Sequence, residues 1–256
     1  ELEEKDDPES SEPAKKKPRL SLRKSLLYVT QSRYMLCVAI IVLAYNCAIN
    51  FTEVIWKSQI KQQYPNSGDY FAYMSNVTFY IGALATMASF CISGNIIRIF
   101  GWKPAALVTP FLMFATSIPF VYFLFEQYSG IAPLSAILGT SSLALTVFAG
   151  SLQNCLCRSS KYTVFDDTKE MAFIPLSSEN RLKGKAAIDG IGSRLGKSGS
   201  SLTLQGMMML FGSLSAAVPY IFGFIFAVIP LWIISVFSLG KEFSLITDSS
   251  EEKQKV

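Results

Sequence analysis

The chain has 256 residues, of which half are hydrophobic and only 16% are charged, for a mean hydropathy of +0.34. Ordinary water-soluble domains carry about a quarter charged residues, so this composition excludes that class and points to lipid. The formal net charge of +4 comes without a single histidine, which excludes Ser-His-Asp catalysis, His-metal ligation and histidine proton relays within these residues.

Glu1 to Leu20 is polar and has no apolar core of the kind a signal peptide needs; with no opening methionine, a fragment or processed half is expected. Glu1 to Glu12 is an acidic, solvated start, and Lys15, Lys16, Lys17, Arg19, Arg23, Lys24 and Arg33 form a basic run expected on the cytoplasmic side. Tyr34 to Thr52, Tyr70 to Ile97, Pro104 to Phe125 and Gln127 to Cys157 carry no charge. Each matches the roughly 20 residues that cross a ~30 Å hydrocarbon layer. Ser198 to Gly240 is also uncharged and too long for one span, so a turn is expected at Pro219 with the small residues Ser213 to Ala217, giving six helices.

With the start inside, Arg98 to Lys103, Arg158 to Lys185 and the tail from Lys241 fall on the cytoplasmic side, and Lys57, Lys61, Asp69 and Glu126 on the other. The tail from Asp248 to Val256 reads as a disordered polar end. Two sequons, Asn50-Phe-Thr52 and Asn76-Val-Thr78, lie inside expected spans, out of reach of glycosylation. The cysteines Cys37, Cys47, Cys91, Cys155 and Cys157 follow no C-x-x-C spacing and read as buried free thiols, with no metal site. Gly82, Gly139, Gly150, Gly206 and Gly212 are expected where helices pack closely. Tyr45, Trp56, Phe79 and Tyr80 are expected in packing or an interfacial belt, with adenine stacking as the alternative.

The loop Gly94-Asn-Ile-Ile-Arg98-Ile-Phe-Gly101-Trp102-Lys103 resembles the G-x-x-x-[DR]-x-x-G-[RW]-[RK] inner loop of major-facilitator transporters. Further on, Gly190 to Ser201, GIGSRLGKSGSS, ends like a phosphate-binding P-loop. Its first glycine is out of register, because Ile191 stands where glycine is required, and no strand pattern precedes it, so nucleotide hydrolysis and an enzyme are not expected. For a helix starting near Ala186, Arg194 and Lys197 lie roughly 12 to 16 Å deep at 1.5 Å per residue. Gly190, Arg194, Lys197 and Ser201 then share one face, with Lys185 and Asp189 spaced to pair beside it. Intramembrane cations mark a function by default, and two of them on one face suit a multiply charged phosphate, with acidic side chains of another half, interhelical salt bridges or a later helix start that leaves them at the interface as the alternatives.

The run Lys161-Tyr-Thr-Val-Phe-Asp166-Asp167-Thr168-Lys169-Glu170-Met-Ala-Phe-Ile-Pro175-Leu176, followed by Lys183-Gly-Lys185-Ala-Ala-Ile-Asp189 and Gly196-Lys197-Ser198-Gly199, resembles the ATP/ADP translocase family of plastids and energy-parasitic intracellular bacteria. Glu53-Val-Ile-Trp56-Lys57-Ser58 with Tyr64-Pro65-Asn66 resembles the same family. Phe173, Asp167 and Ser200 depart from its usual residues without removing a charge. The resemblance covers most of Leu20 to Gly240 and implies an all-α membrane protein, six transmembrane helices forming the C-terminal half of a major-facilitator-like, twelve-helix carrier. Residues 1–33 would be the cytoplasmic linker between halves, 34–240 the six-helix half and 241–256 a cytoplasmic tail.

That resemblance implies exchange of ATP for ADP, with phosphate, by alternating access in a bacterial inner membrane or plastid inner envelope, without cofactor, metal or nucleic acid. Proton-coupled net import of nucleoside triphosphates is the alternative. The partners implied are ATP and ADP, the bilayer and the N-terminal half, because six helices do not enclose a two-sided path alone. Lys185, Arg194 and Lys197 are expected to bind phosphate, with Asp189 beside them, Lys169 at the inner entrance, and Glu53 with Lys57 as either an outer gate pair or an ordinary interfacial ion pair.

Overall fold

The computed structural model describes residues 22–91, 93–129 and 133–254, which are helical and contain no strand among the described residues. The acidic start, the lysines at 15 to 17 and Arg19 lie outside the described residues, as does the side chain of Cys91. Cys37, Cys47, Cys155 and Cys157 are free, as expected.

The helices are α1 (Leu22–Gln31), α2 (Arg33–Gln63), α3 (Ser67–Cys91), α4 (Ser93–Phe100), α5 (Trp102–Ser129), α6 (Pro133–Ile137), α7 (Ser142–Ser160), α8 (Asp166–Ala172), α9 (Ser178–Lys185), α10 (Ser193–Phe211) and α11 (Leu214–Gln254). The starts of α2 and α7 follow hydroxyl caps. Ser32 accepts from the Met35 amide at 3.4 Å and Ser141 from the Ala144 amide at 3.2 Å. Two π-helical stretches, Lys161–Phe165 and Ala186–Gly192, join α7 to α8 and α9 to α10 with helical backbone angles throughout. Such widened turns re-aim the side chains that follow them and recur at functional sites.

Arg33–Gln63, Trp102–Gln127 and Leu214–Ile246 are long and apolar enough to cross a membrane. Helix α2 is the central one, packed against α7, α10 and α11, while α5 packs on α7 and α11, and α3 on α7. Its most apolar stretch is 67% buried, against 33% and 39% for the other two, which makes it the interior rod of the bundle. Phe51, Ile55, Phe120, Ile221 and Trp232 fill the core around it. Phe79, Phe90, Met209 and Leu210 point outward, an apolar surface that suits a lipid surround.

Two expectations change. The turn before the last helix falls at Gly212 and Ser213, the start of the expected small-residue stretch, and not as far on as Pro219: Gly212 adopts φ 77°, which costs a residue without Cβ little, and Ser213 then caps α11 by accepting from the Ala216 amide. Pro219 and Pro230 sit inside α11, each removing one backbone donor, a loss that packed membrane helices tolerate. The expected disordered tail is helical as far as Gln254.

The glycines divide differently from the expectation. A Cβ on Gly150 would collide with Trp56 and Phe120, so that residue is where α7 presses on α2 and α5. Gly139 and Gly212 serve turns with positive φ, and Gly82 and Gly206 face open space.

Candidate functional site

The site forms where α2, the α7–α8 rod and α10 meet, and one glycine sets the distance between two of them. A Cβ on Gly196 would lie 2.8 Å from the Asn46 Cβ, closer than side chains tolerate, so glycine lets α10 lie directly on α2. One turn further along α2, Asn50 donates to the Lys197 carbonyl at 3.1 Å and to the Ser200 hydroxyl at 2.6 Å. The first sequon asparagine is therefore a clamp between helices. Gly196, Lys197 and Ser198 are α-helical, so the segment that ends like a P-loop is no loop at all.

Two adjoining cavities open along α2. The larger, about 510 Å³, reaches from Val42 to Lys169 and Asp189; the smaller, about 290 Å³, is lined by Asn50, Glu53, Arg158 and Tyr162. Both are walled by Tyr45, Asn46, Lys161 and Lys197, which makes them one groove. From Val42 to Glu53 it extends ~17 Å at 1.5 Å per helical residue. Tyr45 is buried in its wall against Phe165 (ring centroids 4.9 Å apart) and Trp232 (6.0 Å, edge-on). Of the other expected aromatics, Trp56 is buried and donates to Ser151 at 3.1 Å, while Phe79 and Tyr80 face outward.

Each end of the groove is closed by charge. At one end Glu53 is shared: Lys57 approaches its Oε1 at 2.7 Å, and the Arg158 guanidinium donates to its Oε2. At the other, Lys169 lies 2.9 Å from Asp189, 3.5 Å from Glu170 and 3.9 Å from Asp166, and Lys185 pairs with the second oxygen of Glu170. Burial works against the Lys169 charge, but the Asp189 hydrogen bond and the three carboxylates outweigh it and raise its pKa above the usual lysine value. Burial likewise disfavours the Glu170 carboxylate, yet Lys185 and Lys169 prevail and hold its pKa below the usual range.

The expected Lys185–Asp189 pair does not form. Each finds its opposite charge on α8, which packs alongside and presents both signs, leaving the two residues four apart unlinked. Between the ends, Lys161 pairs with Asp166 at 2.8 Å and rests over the Tyr162 ring. Lys197 is exposed like Arg194 but lines both cavities, and its ammonium makes no ion pair among the described residues. Arg194 is exposed and lines neither cavity. The face that the second π-helical stretch and α10 turn to the groove is Asp189, Ser193 and Lys197, stepping by four, rather than the face through Gly190 and Arg194.

Of the expected site residues, then, Lys169, Asp189, Lys197 and Glu53 line the groove, Lys57 and Lys185 hold lining carboxylates, and Arg194 stands apart. The sequence reading missed Arg158, Lys161, Asp166 and Glu170, because it ended the fourth span where charge began and assigned Arg158 to Lys185 to an inner loop. The chain stays helical from Ser142 to Ala172, and Arg158 meets Glu53 on the central helix. A signal was present: Arg158, Lys161, Phe165 and Lys169 step by three, four and four, the spacing of one helix face. No group of side chains among the described residues suits a metal ion.

Comparisons with known proteins bear on this groove. The family model described as TLC ATP/ADP transporter matches residues 3–243. The chain is 42% identical over 253 residues to ADP,ATP carrier protein 1 of Chlamydia pneumoniae, covering 97% of this chain and 48% of that protein. It is 38% identical over 248 residues to ADP,ATP carrier protein 1 of Rickettsia prowazekii, covering 96% and 50%, and 36% identical over 250 residues to ADP,ATP carrier protein 2, chloroplastic, of Arabidopsis thaliana, covering 97% and 40%. The chain thus spans about half the length of the curated relatives it matches. No solved structure matches it. With a helical bundle that fits a membrane, a groove lined by charges of both signs and a family model matched over nearly the whole sequence, the chain belongs to the TLC ATP/ADP transporter family.

Proposed function

We propose that this chain is the C-terminal half of a twelve-helix carrier that exchanges ATP for ADP across a membrane by alternating access. Its six spans are α2, α3, α5, α7, α10 and α11, with residues 1–33 as the linker from the N-terminal half and 241–256 as the cytoplasmic tail. The groove faces that other half. Support comes from the relatives' names and from their length, about twice that of this chain, and from two adjoining charged cavities along α2, as a site shared between two halves would need. A bacterial inner membrane or a plastid inner envelope is the setting that the relatives suggest.

One observation carries the reading: Lys197, held against α2 by Gly196 and Asn50, lines both cavities with no carboxylate to neutralise it. Lys197 is exposed in this half; once a second half encloses the groove within a membrane, an uncompensated ammonium there is costly. A polyphosphate supplies the missing negative charge, and Lys161 and Arg158 on the facing helix extend the same cationic wall. Binding and release then need no hydrolysis, which agrees with a helical rather than looped Gly196-Lys197-Ser198. Exchange of a four-charge for a three-charge nucleotide moves one net charge, so the membrane potential drives it by about 2.3 kcal/mol per 100 mV.

The test is counter-exchange by the full-length carrier in liposomes loaded or not loaded with ADP. Uptake of labelled ATP that depends strictly on internal nucleotide is the expected result. Uptake into empty liposomes driven by a proton gradient would replace exchange with net import, and sustained phosphate release from ATP would replace the carrier with an enzyme.

A further inference from the structure

We infer that Arg158 is a phosphate ligand of the transport site and that Glu53 occupies its guanidinium only while the nucleotide is absent. The inference rests on the carrier reading above and adds to it a residue and an exchange of partners.

The geometry of the shared carboxylate points there. Arg158 reaches Glu53 through Nη2 alone, and among the described residues no other hydrogen bond engages its guanidinium. An arginine built only to anchor a carboxylate presents two parallel donors to it; this one offers a single donor and keeps the rest in reserve. Its side chain is 29% exposed, on the wall of the cavity that Lys161 and Lys197 also line. Three cations from α7, the adjoining π-helical turn and α10 therefore surround a space of about 290 Å³.

Glu53 is equipped to let go. Its other oxygen is held at 2.7 Å by Lys57, one turn along the same helix, so a carboxylate displaced from Arg158 retains a positive partner. The terminal phosphates of a nucleotide bring more negative charge and more acceptor oxygens than one carboxylate oxygen does, and Arg158 can grip them bidentately. Displacement breaks the ion pair between α2 and α7. Occupancy of the groove and the attachment of those two helices thereby become linked, with Glu53 acting as the stand-in for phosphate in the empty state.

The experiment is equilibrium binding of ATP and AMP to the purified full-length carrier, for the parent, Arg158→Gln, Arg158→Lys, Glu53→Gln and the double variant Glu53→Gln/Arg158→Gln. Thermal melting of each shows whether it is folded. Arg158→Gln should weaken ATP on the order of tenfold or more, as expected for loss of a charge-assisted hydrogen bond. AMP should weaken less, and Arg158→Lys should recover part of the loss. Glu53→Gln should bind ATP several-fold more tightly, because the competitor is gone, and the double variant should match Arg158→Gln.

Unchanged ATP affinity in a folded Arg158→Gln protein overturns the inference, as does Glu53→Gln weakening ATP as much as Arg158→Gln, the result of a purely structural tie. If Arg158→Gln does not fold, Glu53→Gln decides alone: tighter binding supports the exchange, and unchanged or weaker binding defeats it. A folded parent that binds no ATP defeats the carrier reading and the inference with it. A parent that binds ATP while the variants break this pattern defeats only the inference.

Discussion

The two ends of the groove are both closed by charge, yet they differ in kind. Around Lys169, three carboxylates and Lys185 make a network in which each group has an opposite charge at hand. Around Glu53, a single carboxylate serves two cations, and nearby Lys197 has none. A network with several partners per group is stiff, since breaking one contact leaves others, whereas a shared carboxylate can be exchanged between partners. The lesson is that the first end has the build of a structural joint between α8 and the helices beside it, and the second that of a place where a ligand's charge is felt.

The largest expected effect that sharpens this contrast is at Lys197. Replacing it by alanine should abolish nucleotide exchange while the carrier still inserts and melts near the parent temperature; normal exchange by Lys197→Ala would show that the cation-rich end is not the site. At the opposite end, Lys169→Met leaves three carboxylates around an uncharged side chain. We expect a stability loss on the order of 2 kcal/mol, below the cost of orphaning a fully buried charge, read by thermal or denaturant unfolding.

That loss should have a defined pH profile. Glu170 has a folded pKa lowered from 4.5, so its contribution is present above that value and disappears as pH falls through the lower folded value. Lys169 has a folded pKa raised from 10.5, so its contribution is present below that value and fades as pH rises past the folded one. The stability difference between Lys169→Met and the parent should stay flat between those limits and shrink outside them. A difference that changes steeply near neutral pH would break the assignment.

Gly196→Ala tests how the two ends are held together. The added methyl forces α10 away from Asn46, for a cost of about 1 to 3 kcal/mol from overpacking, and weaker nucleotide binding should accompany it because Lys197 moves with the helix. Parent-like melting and affinity would mean that the contact is not tight. The smallest effect is expected at Lys57, whose half-exposed pair with Glu53 is worth under about 1 kcal/mol. Lys57→Ala should leave stability near the parent, and a loss of several kcal/mol would show that Glu53 depends on Lys57 more than on Arg158.

Much of the fold was legible. Apolar blocks about as long as a bilayer's hydrocarbon layer is thick, or longer, located α2, α5 and α11. Lys197, Lys169, Asp189 and Glu53 stand out in the sequence because charge within or beside such blocks is costly and needs a reason, and all four line the groove. Arg194 was read by the same logic and lies outside the groove: the 3.6-residue period carried it onto the face of Lys197, but the face that meets α2 is chosen by Gly196.

What the sequence alone determined is a set of long apolar helices, a basic flank and a small number of charges beside apolar stretches, since hydrophobic length and the position of charge are local properties of the chain. Only the tertiary structure decided that Arg158 reaches Glu53, that Asp189 turns to Lys169 rather than Lys185, and that Lys197 is left without a partner. Which charges neutralise one another depends on helices distant in sequence lying side by side. The contact of Gly196 with Asn46 and the π-helical turns at Lys161–Phe165 and Ala186–Gly192 fix that arrangement through packing, which no spacing along the chain records.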